Sequence, residues 1–213
     1  LNNVSKGLST KPQMPILTGI KIDVKDRYLL LTASNSDISI QARLEDINYY
    51  DIEETGTVVL PGKYLLEILR KTNAEEIIFA SFEENTVKIL ADKSTFTLNT
   101  LDKDVFPYIS FEESQNFINI DAINVKQIIR KTSFATSTSE SKMVLTGVSL
   151  SANGPKIEAV ATDSFRLAKK YLITDVDNPK VNVIIPSKNL EELNKILEEG
   201  DDNVQIHFLK TKV

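Results

Sequence analysis

The stretch ILTGIKI at residues 16–22 returns as VLTGVSL at 144–150, an offset of 128. TASNS at 32–36 returns as VATDS at 160–164 with the same offset, and VVLPGKYLLEIL at 58–69 returns as VIIPSKNLEELN at 183–194, offset by 125. Three blocks in one order and at nearly one spacing predict a unit of about 125 residues used twice, the second copy cut short.

Outward from these blocks, the dominant texture is alternation over four to eight residues. It predicts strands at 16–24, 28–34, 37–44, 57–61, 75–82, 86–91 and 95–101, then at 144–152, 156–163, 166–173, 181–186 and 203–208. KDR at 25–27, EENT at 83–86 and ADK at 91–93 supply the turn chemistry between strands. Helical spacing is confined to three places. Leu65, Leu66, Ile68 and Leu69 form a stripe in 62–72; Val125, Ile128 and Ile129 form one in 121–132; Leu190, Leu193 and Leu197 form one in 187–199. Asp121 and Ser187 are the expected N-caps of the last two, and Gly200 the expected stop. Residues 1–8 are too few to assign. Each copy therefore reads as α+β, with mostly antiparallel strands and about two helices on one sheet face, their charged sides pointing together.

Composition narrows the chemistry. Of 213 residues 41% are apolar and 26% charged, which excludes disordered and collagen-like chains. The absence of cysteine excludes disulfides, thiolate metal sites and cysteine nucleophiles, and a single histidine, His207, removes the main part of most Ser-His designs. No apolar run approaches the roughly 18 residues that cross a bilayer. The chain opens LNNVSKGLST and closes on the strand-like NVQIHFLKTKV, so the reading expects a soluble cytoplasmic protein with both ends cut.

The net charge of −5 argues against a uniformly basic nucleic-acid binder, but the charge is segregated. Segments 61–73 and 121–134 each sum to +2, whereas 45–54 sums to −5 and 74–86 to −4. Basic helix faces can meet phosphate while an acidic exterior repels it. The plain alternative is that these are solvated helix faces, and 187–199 supports it, with Lys188 and Lys195 against Glu191, Glu192, Glu198 and Glu199.

No glycine-rich phosphate loop, nucleophile elbow, HExxH or EF-hand pattern occurs. The pairs Asp201-Asp202 and Glu53-Glu54 read as solvated turns. Asp163 reads as an Asx turn at a strand end rather than a metal ligand, and His207 as a strand residue. Nothing assembles a nucleophile, a base and an orienting group, so the chain does not read as an enzyme and no cofactor or metal is called for. The stretch AVATDSFRLAKKYL differs, because it sets Thr162, Ser164, Phe165, Arg166 and Leu167 at a strand–turn–strand junction. An Arg between Phe and Leu suits a peptide-recognition pocket; equally, Phe165 and Leu167 are core and Arg166 snorkels.

ATDSFRLA at 161–168 resembles the ATDxxRLA stretch of the bacterial sliding clamp family, the beta subunit of the replicative DNA polymerase III. MPILTGIKI (14–22), TLDKDVFP (100–107), KTSFATSTSESKMVLTGV (131–148) and VIIPSKNLEEL (183–193) resemble the same family in the same order. The resemblance implies repeated DNA-clamp domains, antiparallel sheets outside and two helices per domain lining a ring. Domain I is then 1–114, without its opening strand, domain II is 115–213, truncated at its end, and a third domain is absent.

It implies a processivity factor without catalysis that encircles duplex DNA independently of sequence. The implied partners are the polymerase III catalytic subunit, the clamp loader and other clamp-binding-motif proteins, with the full-length protein a head-to-tail homodimer in the cytoplasm, at the nucleoid and off any membrane. The family's partner-peptide pocket carries over to Leu145, Thr162, Ser164, Phe165, Arg166 and Leu167; many members have Gly-His where this chain has Ser164-Phe165. Lys11 and Lys142 match two loops that approach DNA, while Arg70, Lys126 and Arg130 are added from the helix faces. The competing reading keeps the duplicated fold as a peptide-binding scaffold with no DNA encirclement.

Overall fold

The computed structural model describes residues 1–9, 14–35, 37–45, 50–83, 85–198 and 203–209, the side chains of 81–83 excepted. The chain divides into two compact units, Leu1–Ser110 and Phe111–Val213. The division falls before the expected 114/115 boundary because the segment after Ser110 is tied to the second unit. There the Ser114 N–H donates to His207 Nδ1 at 3.0 Å and the Phe208 N–H donates to the Asn116 carbonyl at 2.9 Å.

In the first unit β1 (Gly19–Lys25), β2 (Tyr28–Ser34), β3 (Ser39–Leu44) and β4 (Gly56–Pro61) form an antiparallel sheet in the order β3-β2-β1-β4. Helix α1 (Gly62–Lys71) leaves β4 through Pro61, whose fixed φ of −56° suits a helix start. A second antiparallel sheet holds β5 (Ile77–Glu83), β6 (Thr86–Ala91) and β7 (Ser94–Asn99). Asp92, in the tight β6–β7 turn, takes a φ of +51°, a conformation that Asp tolerates better than most residues. Ile20, Leu31 and Leu60 from the first sheet meet Leu65 of α1 and Val87 and Ile89 of the second in one core. Buried at this junction, they carry the burial free energy of the unit, about 2 kcal/mol for each large side chain.

In the second unit β8 (Phe117–Ile120) precedes α2 (Ala122–Thr132), and β9 (Gly147–Thr162) and β10 (Leu167–Pro186) are long antiparallel partners. β9 doubles back near Gly154, which sits at a φ of +57°. The Ser151 hydroxyl reaches the Glu158 carbonyl at 3.4 Å, and seven residues of straight strand would separate the two by roughly 23 Å. Residues 147–152 then pair with 181–186, and 156–162 with 167–173. The repeat is visible in register: Gly19 faces Pro61 in the first unit and Gly147 faces Pro186 in the second. Helix α3 (Ser187–Ile196) follows β10 as α1 follows β4, and β11 (Val204–His207) pairs with β8. Ile118, Val125, Ile129, Val148, Ile157 and Leu190 are among the residues of its core.

Several local expectations are corrected. The strands expected from 16 and from 144 begin at Gly19 and Gly147, each preceded by a 3-10 turn, Pro15–Thr18 and Glu140–Thr146. Both turns bond a Thr hydroxyl back to a carbonyl three residues earlier, Thr18 to Pro15 and Thr146 to Met143, at 2.8 Å each. Asp121 occupies the N-cap position without a side-chain bond to the helix backbone, and Pro186, not Ser187, is the N-cap of α3. Gly200 lies outside the described residues. The first unit has a single α-helix among the described residues where about two were expected, and the offset of 128 sets Val4 against Thr132, the last residue of α2. The Val4–Gly7 turn thus answers the Ser133–Ala135 turn after α2. Strand β8 was not expected; FINI is four residues long and follows a polar, Pro-containing stretch.

Candidate functional site

Between β9 and β10 the chain reverses over Asp163–Arg166. Asp163 Oδ1 accepts the backbone N–H of Phe165 and of Arg166, both at 2.9 Å, an Asx turn. The Thr162 hydroxyl donates to the Arg166 carbonyl at 2.7 Å and accepts the Ser164 N–H at 3.2 Å. Ser164 sits at a φ of +78°. The two backbone N–H donors, Phe165 first and then Arg166, hold the Asp163 carboxyl below the usual carboxylate range, and the Arg166 cation adds to them.

Within this frame the side chains point outward. Phe165 is 97% exposed and Leu167 66%, so neither is core and the snorkelling alternative is set aside. The Arg166 Nε lies 3.0 Å from Asp163 Oδ2, and its guanidinium carbon stands 5.8 Å from the centre of the Phe134 ring. Phe134 is itself 60% exposed, on the Ser133–Ala135 turn whose other two residues are buried. Sequence reasoning missed Phe134. Its signal was an aromatic residue off the apolar stripe of α2, five residues past Ile129. Leu145 lies half-buried two residues before β9, where its carbonyl accepts the Ser137 N–H at 2.8 Å. The structure thus sets five of the six expected pocket residues at one strand–turn–strand junction and places Leu145 on the element that leads into the same sheet.

The expected cationic residues fare differently from one another. Arg130 is exposed in the last turn of α2, beside Lys131. Cations at this end also oppose the helix macrodipole. Arg70, in the last turn of α1, gives Nε and Nη2 bonds of 3.2 and 2.9 Å to the Asn2 side-chain oxygen. Lys142 is exposed at the kink of the Glu140–Thr146 segment, with φ −131° and ψ 87°. Lys126 is half-buried, and its ammonium donates to the carbonyls of Leu197 at 2.7 Å and Asn194 at 3.4 Å, covering orphan carbonyls at the end of α3. Lys11 lies outside the described residues. No described helix is long and apolar enough to cross a membrane, and among the described residues no cluster of three or more metal-ligating side chains occurs.

Family models match the chain in two consecutive parts: the N-terminal domain of the DNA polymerase III beta subunit over residues 1–110 and its central domain over 119–213. The beta sliding clamps of Staphylococcus epidermidis and Staphylococcus aureus are 38% and 39% identical over the whole chain, which spans 58% of each. Among solved structures, the DNA polymerase sliding clamp of Bacillus subtilis superposes with a TM-score of 0.92 at 34% identity, over 99% of this chain and 57% of that one. The beta chain of DNA polymerase III from Streptococcus pneumoniae gives 0.93 at 29%, over 98% and 56%.

Proposed function

The chain belongs to the DNA polymerase III beta subunit family, and on that premise we propose that it is the first two domains of a sliding clamp. The whole protein encircles duplex DNA without reading sequence and tethers the polymerase III catalytic subunit, the clamp loader and other proteins with clamp-binding motifs. It closes as a head-to-tail homodimer in the cytoplasm and carries no catalytic step. The observation that carries the reading is the match of two adjacent domain types, in family order, to two units built on one repeated plan. Exposed Arg130 and Lys142, and Lys11 by motif, supply phosphate contacts, and Arg70 can join them by exchanging its bond to Asn2. Such contacts position without specifying, as a ring that slides requires. Lys126 acts mainly by holding α2 to the end of α3.

The partner site is the Asp163 turn with Leu145. Its hydrogen-bonded backbone presents Phe165, Arg166 and Leu167 outward, and Phe and Arg are residue types enriched at protein interfaces. Two experiments test the two halves. The full-length protein is loaded by its clamp loader on nicked circular duplex, which is then linearised; loss of protein on cutting is expected, and equal retention on circle and line overturns encirclement. The double variant Leu145→Ala/Arg166→Ala should lower affinity for the catalytic subunit at least tenfold, since hot-spot truncations each cost about 2 kcal/mol, and leave encirclement intact, so that any ring already closed on circular duplex is retained as wild type is. Unchanged affinity removes the partner site from this turn.

A further inference from the structure

We infer that Phe134 is a positioning residue of the partner site, fixing the guanidinium of Arg166 together with its bond to Asp163; the inference rests on the partner-site reading above. Arg166 is held at each of its parts. Its N–H is bonded to Asp163 Oδ1, its carbonyl to the Thr162 hydroxyl, and its Nε to Asp163 Oδ2. What these bonds leave undetermined is the swing of the guanidinium plane, and the Phe134 ring at 5.8 Å is within cation–π range of it. An arginine side chain otherwise has about 2 kcal/mol of rotamer freedom to lose on binding, so a guanidinium fixed beforehand gives up less.

The burial pattern supports a role beyond packing. Ser133 and Ala135 face inward while Phe134, between them, leaves 60% of its surface in water. A phenyl ring there contributes little to the core. The internal repeat makes the same point: the offset of 128 sets Lys6 at the place of Phe134 and Ile38 at the place of Arg166, so the first unit keeps the plan and exchanges the cation and the apolar residue. The aromatic ring goes with the guanidinium.

The test is a double-mutant cycle on the full-length protein, with the polymerase III catalytic subunit of the same organism as probe and affinity measured by surface plasmon resonance. Phe134→Leu should weaken binding about threefold to fivefold, the range of an exposed cation–π contact, and Phe134→Tyr should stay within about twofold of wild type. In the Arg166→Ala background Phe134→Leu should do nothing further. The Arg166 Nε–Hε resonance supplies a second signature, shifted by the ring current in wild type and Phe134→Tyr and released in Phe134→Leu. The dispersion of the backbone amide resonances shows the fold intact. If Arg166→Ala itself leaves affinity unchanged, the partner-site reading falls and takes this inference with it. If Arg166→Ala weakens binding but Phe134→Leu does not, the site stands and the positioning role is overturned. Equal losses from Phe134→Leu in both backgrounds also overturn it, since Phe134 then acts without Arg166.

Discussion

The turn after β2 and the turn near the end of β9 are the same device built twice. In the first unit Asn35 Oδ1 accepts the N–H of Asp37 at 3.1 Å and of Ile38 at 3.0 Å; in the second, Asp163 Oδ1 accepts those of Phe165 and Arg166. The offset of 128 carries Asn35 onto Asp163, so the backbone solution is inherited and only its cargo differs. One copy displays Asp37 and Ile38 on a neutral acceptor. The other displays Phe165 and Arg166 on a carboxylate that also pairs with the guanidinium at 3.0 Å. The scaffold thus belongs to the fold, and the copies differ in the few side chains it carries.

The largest break between the copies is expected at their paired glycines. A Cβ at Gly147 would meet the Ile185 carbonyl oxygen at 2.7 Å and Ile184 Cγ2 at 2.6 Å, whereas one at Gly19 would meet side-chain carbons of Val59 at 2.5 Å and Leu101 at 2.8 Å. Backbone cannot rotate away and side chains partly can. Gly147→Ala should therefore cost about 3 kcal/mol and Gly19→Ala nearer 1 to 2 kcal/mol, the span of core overpacking. Urea unfolding followed by amide exchange in β9 and in β1 reads the two separately, and equal costs would show that the units resist strain alike.

A smaller effect, of opposite sign, is expected at Ser164. Its φ of +78° is a conformation that glycine enters freely and serine does not. Ser164→Gly should raise the stability of the second unit by about 1 kcal/mol, less the extra freedom glycine has when unfolded. A urea midpoint that falls would mean the hydroxyl does more in the turn than its backbone strain costs.

These asymmetries show what was legible in the sequence. The repeat blocks carried the fold, because register and turn chemistry leave residues such as Gly19, Gly147, Pro61 and Pro186 at matching places in both copies. The Asx turn was legible too, since Asp163 follows an alternating run at its end. Orientation was not. Whether Phe165 faces water depends on Ser164 entering a left-handed conformation, and no periodicity encodes that. Lys126 lies opposite the apolar stripe of α2 and reads as a solvent cation, yet α3 ends within its reach, a fact of tertiary packing 71 residues away. Phe134 escaped for the same reason, since its partner arrives from a turn 32 residues on.

The finest distinction between the two turns is their response to acid. An aspartate in the unfolded chain titrates near 3.9, and Asp163 in the turn titrates lower because Phe165 and Arg166 donate N–H bonds to its charged form. A folded value below the unfolded one contributes stability that is complete above about pH 4 and disappears as the pH falls through the folded value. Asn35 has no such charge to lose. Protection of the Phe165 and Arg166 amides, corrected for intrinsic exchange, should therefore hold from pH 7 to about 4 and decline below it, while that of Asp37 and Ile38 declines less. Exchanging the acceptors sharpens the comparison. Asp163→Asn should keep the Asx bonds through its side-chain oxygen, flatten the acid response and free the guanidinium from its carboxylate. Asn35→Asp should bring acid sensitivity to the first turn without bringing partner affinity, because the cation is absent there. If Asp163→Asn leaves the acid response of the second turn intact, the charge is not what distinguishes the copies, and the difference between them reduces to the side chains they display.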